Sequence, residues 1–184
     1  MGSMPDTPSP LIPPSRAETD AMIRVDQAGE YGATRIYAGQ LSILGDRHPA
    51  ARAISRMAAQ EKNHLDRFNA LMAKRNVRPT LLAPIWHVAG HALGAATALI
   101  SPEAAMACTV AVETEIDRHY EDQRRQLGSN DPELGGMITE FQAEEVEHRE
   151  TALAAGAERA VAYPVLSAAI RLGCRAAIAL TRRI

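Results

Sequence analysis

The segment "AAQEKNHLDRF", residues 58–68, places an acid and a histidine on the side of a helix that is otherwise apolar. Met57 and Phe68 fall at helical spacing around them and mark that side as the one to be buried. Glu61 and His64 are three residues apart, so on an α-helix they lie only about 60° apart and about 4.5 Å along the axis. The segment therefore predicts a helix that directs Glu61 and His64 into the core.

The same pair of residue types recurs in "QAEEVEHRETA", residues 142–152, where Glu145 and His148 take the places of Glu61 and His64. A single Glu-x-x-His is short enough to occur by chance, most often on a solvated turn of helix or with a histidine bonded to a carbonyl. Two copies in equivalent settings instead indicate an internal repeat.

A lone glutamate precedes each pair at nearly the same distance. Glu30 begins "EYGATRIYAGQ" 31 residues before the first pair, and Glu113 begins "ETEIDRHYEDQ" 32 residues before the second. Arginine, tyrosine and glutamine follow both glutamates at offsets of five, seven and ten residues. Each half of the chain is therefore predicted to be a helical hairpin, with the lone glutamate on its first helix and Glu-x-x-His on its second.

Helix signals also place the connections. Long helices are predicted over about 17–44, 49–75 and 102–127 and from 132 onward, with a C-terminal helix from Pro164 to about Arg183. Short turns join the first helix to the second and the third to the fourth, whereas a long connection joins the two hairpins. The sequence predicts an all-α fold: a ferritin-like four-helix bundle built from two helical hairpins, with an additional apolar crossover and a C-terminal helix.

Composition agrees with one helical domain. The chain has 184 residues, of which 46% are hydrophobic and only 4% aromatic, enough for a single sizeable core. Residues 18–184 are predicted to form the domain, and the Pro- and Ser-rich residues 1–17 a disordered tail whose opening "MGSM" is typical of an expression scar. Cys108 and Cys174 have no ligand spacing, which favours a reducing compartment. A net charge of −2 argues against nucleic acid as the main partner.

The predicted burial of four glutamates in one bundle requires a physical explanation. Four inward carboxylates in one bundle would repel each other and lose hydration, and desolvating even one unpaired ion costs several kcal/mol. Two divalent cations would balance the four charges, and carboxylates with imidazoles suit iron or manganese. One glutamate from each of two helices and Glu-x-x-His from each of the other two is the ferritin-like di-iron arrangement. The predicted metal ligands are Glu30, Glu61, His64, Glu113, Glu145 and His148.

Residues 20–184 resemble the demethoxyubiquinone hydroxylase family of ubiquinone biosynthesis. The resemblance lies in "VDQAGEYGATRIYAGQL", "QEKNHL" and "EEVEH", with "AGAERAVAY" and "GCRAAIALTRRI" near the C-terminus. It implies a di-iron monooxygenase with two Fe ions, in which Glu61 and Glu145 bridge the irons. It also implies that O₂ is the co-substrate and that demethoxyubiquinol, a polyprenylated methoxy-methyl-benzoquinol, is hydroxylated on its ring to demethylubiquinol.

The resemblance suggests NADH as the reductant, yet the chain has no glycine-rich dinucleotide fingerprint. NADH would then bind unconventionally, or electrons would arrive through the quinone. Tyr120 is a candidate proton or electron relay, or else a core tyrosine with a satisfied hydroxyl, and His119 beside it is expected to be structural. Asp26, one turn before Glu30, is expected to hold a ligand histidine in its correct tautomer.

Residues 81–100, "LLAPIWHVAGHALGAATALI", carry no charged side chain and reach the length of a membrane span. A single crossing would put the two halves of the metal site on opposite sides of the bilayer. The segment is therefore expected to lie in the membrane interface with Trp86 at headgroup depth, together with the C-terminal helix. The alternative is an apolar flap packed over the bundle or against a second subunit.

These expectations place the protein on the cytoplasmic side of the bacterial inner membrane, as a peripheral protein. A second copy of the chain and other ubiquinone-biosynthesis proteins are left open as partners. Three other functions of ferritin-like di-iron proteins are weighed against this one. Iron storage would need an exposed polar surface, against which residues 81–100 argue, and a tRNA hydroxylase would need a basic face. A fatty acyl hydroxylase would use a similar approach to the membrane.

Overall fold

The computed structural model describes residues 13–184, and it is helical through nearly all of that range, with no strand within it. The helices are α1 Arg16–Leu44, α2 Pro49–Arg75, α3 Ala83–Ile100, α4 Pro102–Leu127, α5 Pro132–Ala154 and α6 Tyr163–Thr181. A short 3₁₀ turn, Ala157–Arg159, lies between α5 and α6. The predicted all-α fold is confirmed, and the segment between the hairpins is itself a helix, α3.

Side chains next to the helix ends explain where the helices begin. The Ser15 hydroxyl accepts from the backbone N–H of Glu18, and the Glu18 carboxylate accepts from the backbone N–H of Ser15 at 2.8 Å. This capping box starts α1 at Arg16. Residues 16 and 17 therefore belong to the helix and not to the predicted tail, whose residues 1–12 lie outside the described part of the chain.

The four bundle helices form two hairpins, α1 with α2 and α4 with α5, as the internal repeat predicts. α3 packs along the outside of α1, and α6 packs along the outside of α4. The described residues form three apolar clusters, and two of them border a buried polar layer. Phe141 of the first cluster stacks on His64 with ring centroids 3.9 Å apart, and Tyr37 of the second meets His148 edge-on at 6.5 Å.

Glycines allow α3 to approach α1 until their backbones touch. A Cβ atom at Gly94 would overlap the carbonyl oxygen of Ile36, and one at Gly39 would overlap the carbonyl oxygen of His91. The Tyr31 hydroxyl also lies 2.6 Å from His87 Nδ1, which adds a polar contact between the two helices. α3 is therefore a fixed part of the fold that covers α1, while its other side faces outward.

Replacing Gly94 by alanine should destabilise the protein, because the new methyl group meets backbone that cannot move aside. Overpacking of this kind costs about 1–3 kcal/mol, so the free energy of unfolding should fall by about that amount. Gly32→Ala in α1 is the matched control, since its Cβ would meet no atom within 4 Å. The control should be neutral or gain up to about 1 kcal/mol from helix propensity. Urea unfolding of both variants measures the difference, and equal stabilities would contradict the close packing.

Candidate metal centre

The buried polar layer contains all six predicted metal ligands. They come from the four bundle helices, with a lone glutamate on α1 and on α4 and a Glu-x-x-His pair on α2 and on α5. Each is at most 3% exposed: Glu30, Glu61, His64, Glu113, Glu145 and His148. Helical spacing thus buries acids and imidazoles from both hairpins at one level of the bundle.

These residues form two overlapping groups, each able to hold a metal ion. The first group consists of Glu30, Glu61, His64 and Glu145, and the second of Glu61, Glu113, Glu145 and His148. Within each group the potential ligand atoms lie within 4.8 Å of one another. Glu61 and Glu145 belong to both groups, so the carboxylates of these two residues are near both possible metal positions.

The separations between ligand atoms fit a metal ion. His64 Nδ1 lies 3.3 Å from Glu30 Oε2 and 3.2 Å from Glu145 Oε1. His148 Nδ1 lies 3.0 Å from Glu61 Oε1 and 3.2 Å from Glu145 Oε2. Among the described residues, neither Nδ1 atom has a hydrogen-bond partner of good geometry, and neither do the two oxygens of Glu145. Donor atoms that share one cation at about 2.1 Å lie about 3 Å apart, so this arrangement fits two cations between the helices.

Burial decides the protonation of the carboxylates when no cation balances them. It raises the pKa of Glu61 and Glu113 well above the usual range, and the negative charge of Glu145 adds to this effect. Burial acts against ionisation of Glu145 too, but the close Nδ1 atoms of His148 and His64, each 3.2 Å from a Glu145 oxygen, outweigh it and lower the pKa of Glu145 to about 2. One carboxylate of the cluster is thus strongly ionised while its neighbours favour protons.

His64 responds to the same surroundings in the opposite direction. Burial alone would lower its pKa, but the close carboxylates of Glu145 and Glu30 outweigh burial and raise the pKa to about 10. At pH 7 the metal-free centre therefore holds protons on His64 and on buried carboxylates. A cation that binds must displace those protons, so its affinity depends on pH.

Two buried tyrosines bond to the lone glutamates across the hairpins. The Tyr120 hydroxyl of α4 donates to Glu30 Oε1 of α1, and the Tyr37 hydroxyl of α1 donates to Glu113 Oε1 of α4 at 2.8 Å. Tyr120 is thus a core tyrosine with a satisfied hydroxyl that also touches a predicted ligand. Tyr37 was not among the predicted site residues, although it follows Glu30 by the same seven residues that separate Tyr120 from Glu113.

Asp26 contacts His119 and not a histidine of the cluster. Its Oδ1 atom lies 3.1 Å from His119 Nε2 and accepts from Gln123 Nε2 at 2.7 Å. The expectation that Asp26 holds a ligand histidine is wrong. The cluster histidines enter from α2 and α5, so their outer nitrogens lie away from Asp26, which faces α4. Burial raises the pKa of Asp26, and the bonds from His119 and Gln123 oppose that rise.

The outer nitrogens of the cluster histidines find other partners. His64 Nε2 lies 2.8 Å from Glu144 Oε2, and His148 Nε2 lies 3.1 Å from Gln60 Oε1. These acceptors keep the proton on Nε2, so Nδ1 can offer its lone pair to the shared space. Sequence reasoning missed both residues, although each immediately precedes the glutamate of a Glu-x-x-His pair.

The outward sides of α3 and α6 are apolar. The larger exposed aliphatic side chains of these two helices are Ile85, Val88, Leu99, Ile100, Val165, Leu172 and Leu180. Trp86, expected at headgroup depth, is only partly exposed, because its indole N–H donates to Thr181 Oγ1 of α6 at 3.1 Å. Trp86 therefore joins the two helices, while Ile85 and Val88 point outward, with 56% and 66% of their surface exposed.

α6 is long and apolar enough to cross a membrane by length and composition, with 19 residues and a mean hydropathy of 1.3. Two arginines in this helix nevertheless pair with a buried acid of α4. Arg171 Nε and Arg175 Nε donate to the Glu115 carboxylate at 2.6 and 2.7 Å. These bonds hold α6 lengthwise against the bundle.

Known proteins resemble this chain over nearly its whole length. Residues 17–181 match the family described as Ubiquinone biosynthesis protein COQ7. The 3-demethoxyubiquinol 3-hydroxylase of Rhodospirillum rubrum is 50% identical over 181 residues, which cover 98% of this chain and 83% of that protein.

Two mitochondrial relatives carry the name NADPH-dependent 3-demethoxyubiquinone 3-hydroxylase. The protein of Mus musculus is 54% identical over 92% of this chain and 79% of its own length. The protein of Homo sapiens is 53% identical over 92% of this chain and 80% of its own length. The chain is therefore an enzyme, and it belongs to the family described as Ubiquinone biosynthesis protein COQ7.

Proposed function

We propose that this enzyme uses O₂ to hydroxylate the ring of demethoxyubiquinol, giving demethylubiquinol in ubiquinone biosynthesis. The observation that carries the proposal is the pair of ligand groups that share Glu61 and Glu145. The names of the relatives supply the substrate class, demethoxyubiquinol or demethoxyubiquinone.

The metal pair that fits the centre best is two Fe ions. One would be held by Glu30 and His64 and the other by Glu113 and His148, with Glu61 and Glu145 available to both. Such a pair supplies the electrons that activate O₂ beside an electron-rich ring. Hard oxygen donors would also accept manganese, but the redox requirement of hydroxylation favours iron.

The protein's own residues orient the centre and move protons at defined atoms. Tyr120 holds Glu30 Oε1, where it can pass a proton between its hydroxyl and the carboxylate. Tyr37 does the same at Glu113. Asp26 positions His119, whose side chain is 19% exposed, and thereby links the neighbourhood of Tyr120 to solvent. In this proposal Tyr120 is a proton relay, and Asp26 is a positioning residue that holds the neighbouring His119.

Electrons must come from an external reductant. NADH is the donor that the family resemblance implies, and the mammalian relatives are named for NADPH. Either nicotinamide fits the proposal, with the quinone as an alternative carrier of the electrons.

We place the exposed apolar surface of α3 and α6 in the membrane interface. The enzyme would then lie peripherally on the bilayer, in a bacterial cell on the cytoplasmic side of the inner membrane. The polyprenyl tail can stay in lipid while the ring reaches the carboxylate layer. α6 lies flat in this arrangement because Arg171 and Arg175 bind Glu115 of α4. A helix tied in this way cannot also cross the bilayer.

Replacing Ile85 and Val88 together by serine should weaken binding to liposomes without affecting metal content. Loss of two aliphatic anchors removes a few kcal/mol at about 25 cal/mol per Å² of buried apolar surface. Binding should therefore fall by one to two orders of magnitude, at about 1.4 kcal/mol per decade. Turnover should drop for a long-tailed quinol and much less for a short-tailed one.

Ile43→Ser provides the control, since Ile43 is an exposed aliphatic residue of α1 outside this surface. It should bind liposomes as the parent does. Unchanged liposome binding of the double variant, or loss of its metal, would show that the surface of α3 serves packing and not membrane contact.

The proposed reaction is tested with the reduced, iron-loaded enzyme, demethoxyubiquinol and O₂. Mass spectrometry should find a product one oxygen atom heavier, with the label retained from ¹⁸O₂. Fatty acyl chains and tRNA should remain unmodified in parallel incubations. Absence of the quinol product, with iron accumulating far beyond two per chain, would instead indicate iron storage.

A further inference from the structure

The outer nitrogens of the two cluster histidines face different chemical groups. His64 Nε2 bonds to a carboxylate, Glu144, at 2.8 Å, whereas His148 Nε2 bonds to a neutral amide, Gln60, at 3.1 Å. Glu144 and Gln60 occupy equivalent places in the internal repeat. They also meet each other, since Gln60 Nε2 donates to Glu144 Oε2 at 3.4 Å.

The rest of the centre is closely matched between the halves. Each half contributes a lone glutamate that accepts a hydrogen bond from a tyrosine across the hairpins. Each histidine directs Nδ1 to the shared space, within 3.3 Å of two carboxylate oxygens. One carboxylate in place of one amide is therefore a conspicuous chemical difference between the two halves.

This difference changes how strongly each imidazole can bind a cation. A hydrogen bond to a carboxylate is charge-assisted and draws the Nε2 proton away from the ring, which raises electron density on Nδ1. Partners of this kind orient the ligand, increase its basicity and alter metal affinity by about 10–100-fold when they are removed. A neutral amide orients the ring equally well but polarises it less.

We propose that the two metal positions are inequivalent and that Glu144 and Gln60, as positioning residues, set their order of filling. The position beside His64 binds a divalent cation first and more tightly, and the position beside His148 releases its cation first. The inference rests on the proposed function because it requires a two-metal centre. It goes beyond that function by assigning a rank to the two positions and naming the residues responsible.

The test is a titration of the full-length, metal-free protein with Co(II) under anaerobic conditions. The optical bands of bound Co(II) report stoichiometry and affinity. In protein labelled with ¹⁵N-histidine, the Nε2–H resonances of His64 and His148 report which position has filled, because Co(II) displaces the resonance of the ring that it binds. The parent should show two dissociation constants that differ by about ten-fold or more. At one equivalent, the His64 resonance should move first.

Isosteric exchanges make the test specific. Glu144→Gln gives both histidines an amide partner, so the two dissociation constants should agree within about three-fold. The double exchange Q60E/E144Q should reverse the order, with the His148 resonance moving first. Glu147→Gln, an exposed glutamate on the same helix, should leave the parent's order unchanged.

Equal filling of the two positions in the parent would overturn the inference while leaving a two-metal centre in place. An unchanged ratio in Glu144→Gln would also overturn it, and this single isosteric variant decides the matter even where the double exchange fails to fold. Binding of fewer than two Co(II) per chain to the parent would overturn the proposed function itself.

Discussion

Glu61→Gln and Glu145→Gln should each remove the dinuclear metal centre, yet they should shift the stability of the metal-free protein in different directions. Both residues belong to both ligand groups, so either change removes an oxygen donor shared by two metals. Metal content should fall from two ions per chain to one or none, and hydroxylation should become undetectable. The two variants differ because the carboxyl groups differ in charge before metal binds.

Glu61 favours a proton, since burial raises its pKa well above the usual range. A neutral glutamine resembles that protonated form, so metal-free Glu61→Gln should unfold at the same free energy as the metal-free parent or a higher one. Glu145 is ionised and lies close to His64 and His148, which lower its pKa to about 2. Removing one partner of such a buried pair costs about 3–5 kcal/mol, so metal-free Glu145→Gln should be destabilised.

Denaturant unfolding of the metal-free proteins and metal analysis of the loaded ones check both statements. Glu147→Gln, on the exposed side of α5, should match the parent in both measurements. Full metal content in either cluster variant would contradict the assignment of bridging ligands. Equal losses of stability in both variants would contradict the account of their charges.

Metal loading should stabilise the fold strongly, and the stabilisation should grow with pH. A ligand at about 1,000 times its dissociation constant adds about 4 kcal/mol to the free energy of unfolding. For a chain of this size each kcal/mol raises Tm by about 2–4 °C, so Tm should rise by about 8–16 °C. The reason is that cations bind the folded cluster and not the unfolded chain, and they replace the protons that otherwise neutralise the buried carboxylates.

The sign of the pH dependence follows from the raised pKa values. The pKa of His64 rises from 6.5 to about 10, so the stability it contributes to the metal-free fold is complete below about pH 6.5 and is lost as pH rises towards 10. Glu61 and Glu113, whose pKa values are also raised, lose their contribution as pH rises above 4.5. The lowered pKa of Glu145 gives a contribution that is complete above pH 4.5 and constant in this range.

Thermal melts between pH 6.5 and 8.5, with and without Fe(II) under anaerobic conditions, measure the difference in Tm. The metal-free protein should lose stability with rising pH, whereas in the loaded protein cations replace the protons. The difference in Tm between the loaded and the metal-free protein should therefore increase with pH. A gap that stays constant or narrows, with both sites shown to be filled, would contradict the protonation assigned to the cluster.

Helical periodicity and the internal repeat together were sufficient to predict the fold and the six candidate ligands. Two Glu-x-x-His pairs in register with two lone glutamates predict two helical hairpins that bring these residues together. The structure has this arrangement. Periodicity gives the side of a helix on which a residue lies but not the residue opposite it. Asp26 was therefore assigned to the wrong histidine, since its neighbour across the interface is His119.

The repeat held more information than periodicity alone. Tyr37 follows Glu30 as Tyr120 follows Glu113, and both bond across the hairpins. For Trp86, by contrast, the sequence did not contain enough information to predict its contacts. Composition marked residues 81–100 as apolar, but which side of α3 packs on the bundle depends on the close approach at Gly94 and on the hydrogen bond to Thr181. Neither contact is visible in the sequence of α3.

Iron analysis of the protein purified from iron-replete cells tests the central claim most directly. The overlapping groups that share Glu61 and Glu145 should hold two irons per chain. Mössbauer spectra should show iron in oxygen and nitrogen coordination, with a coupled pair in the oxidised form. One zinc ion per chain and no iron would contradict the di-iron centre and the hydroxylation proposed for it.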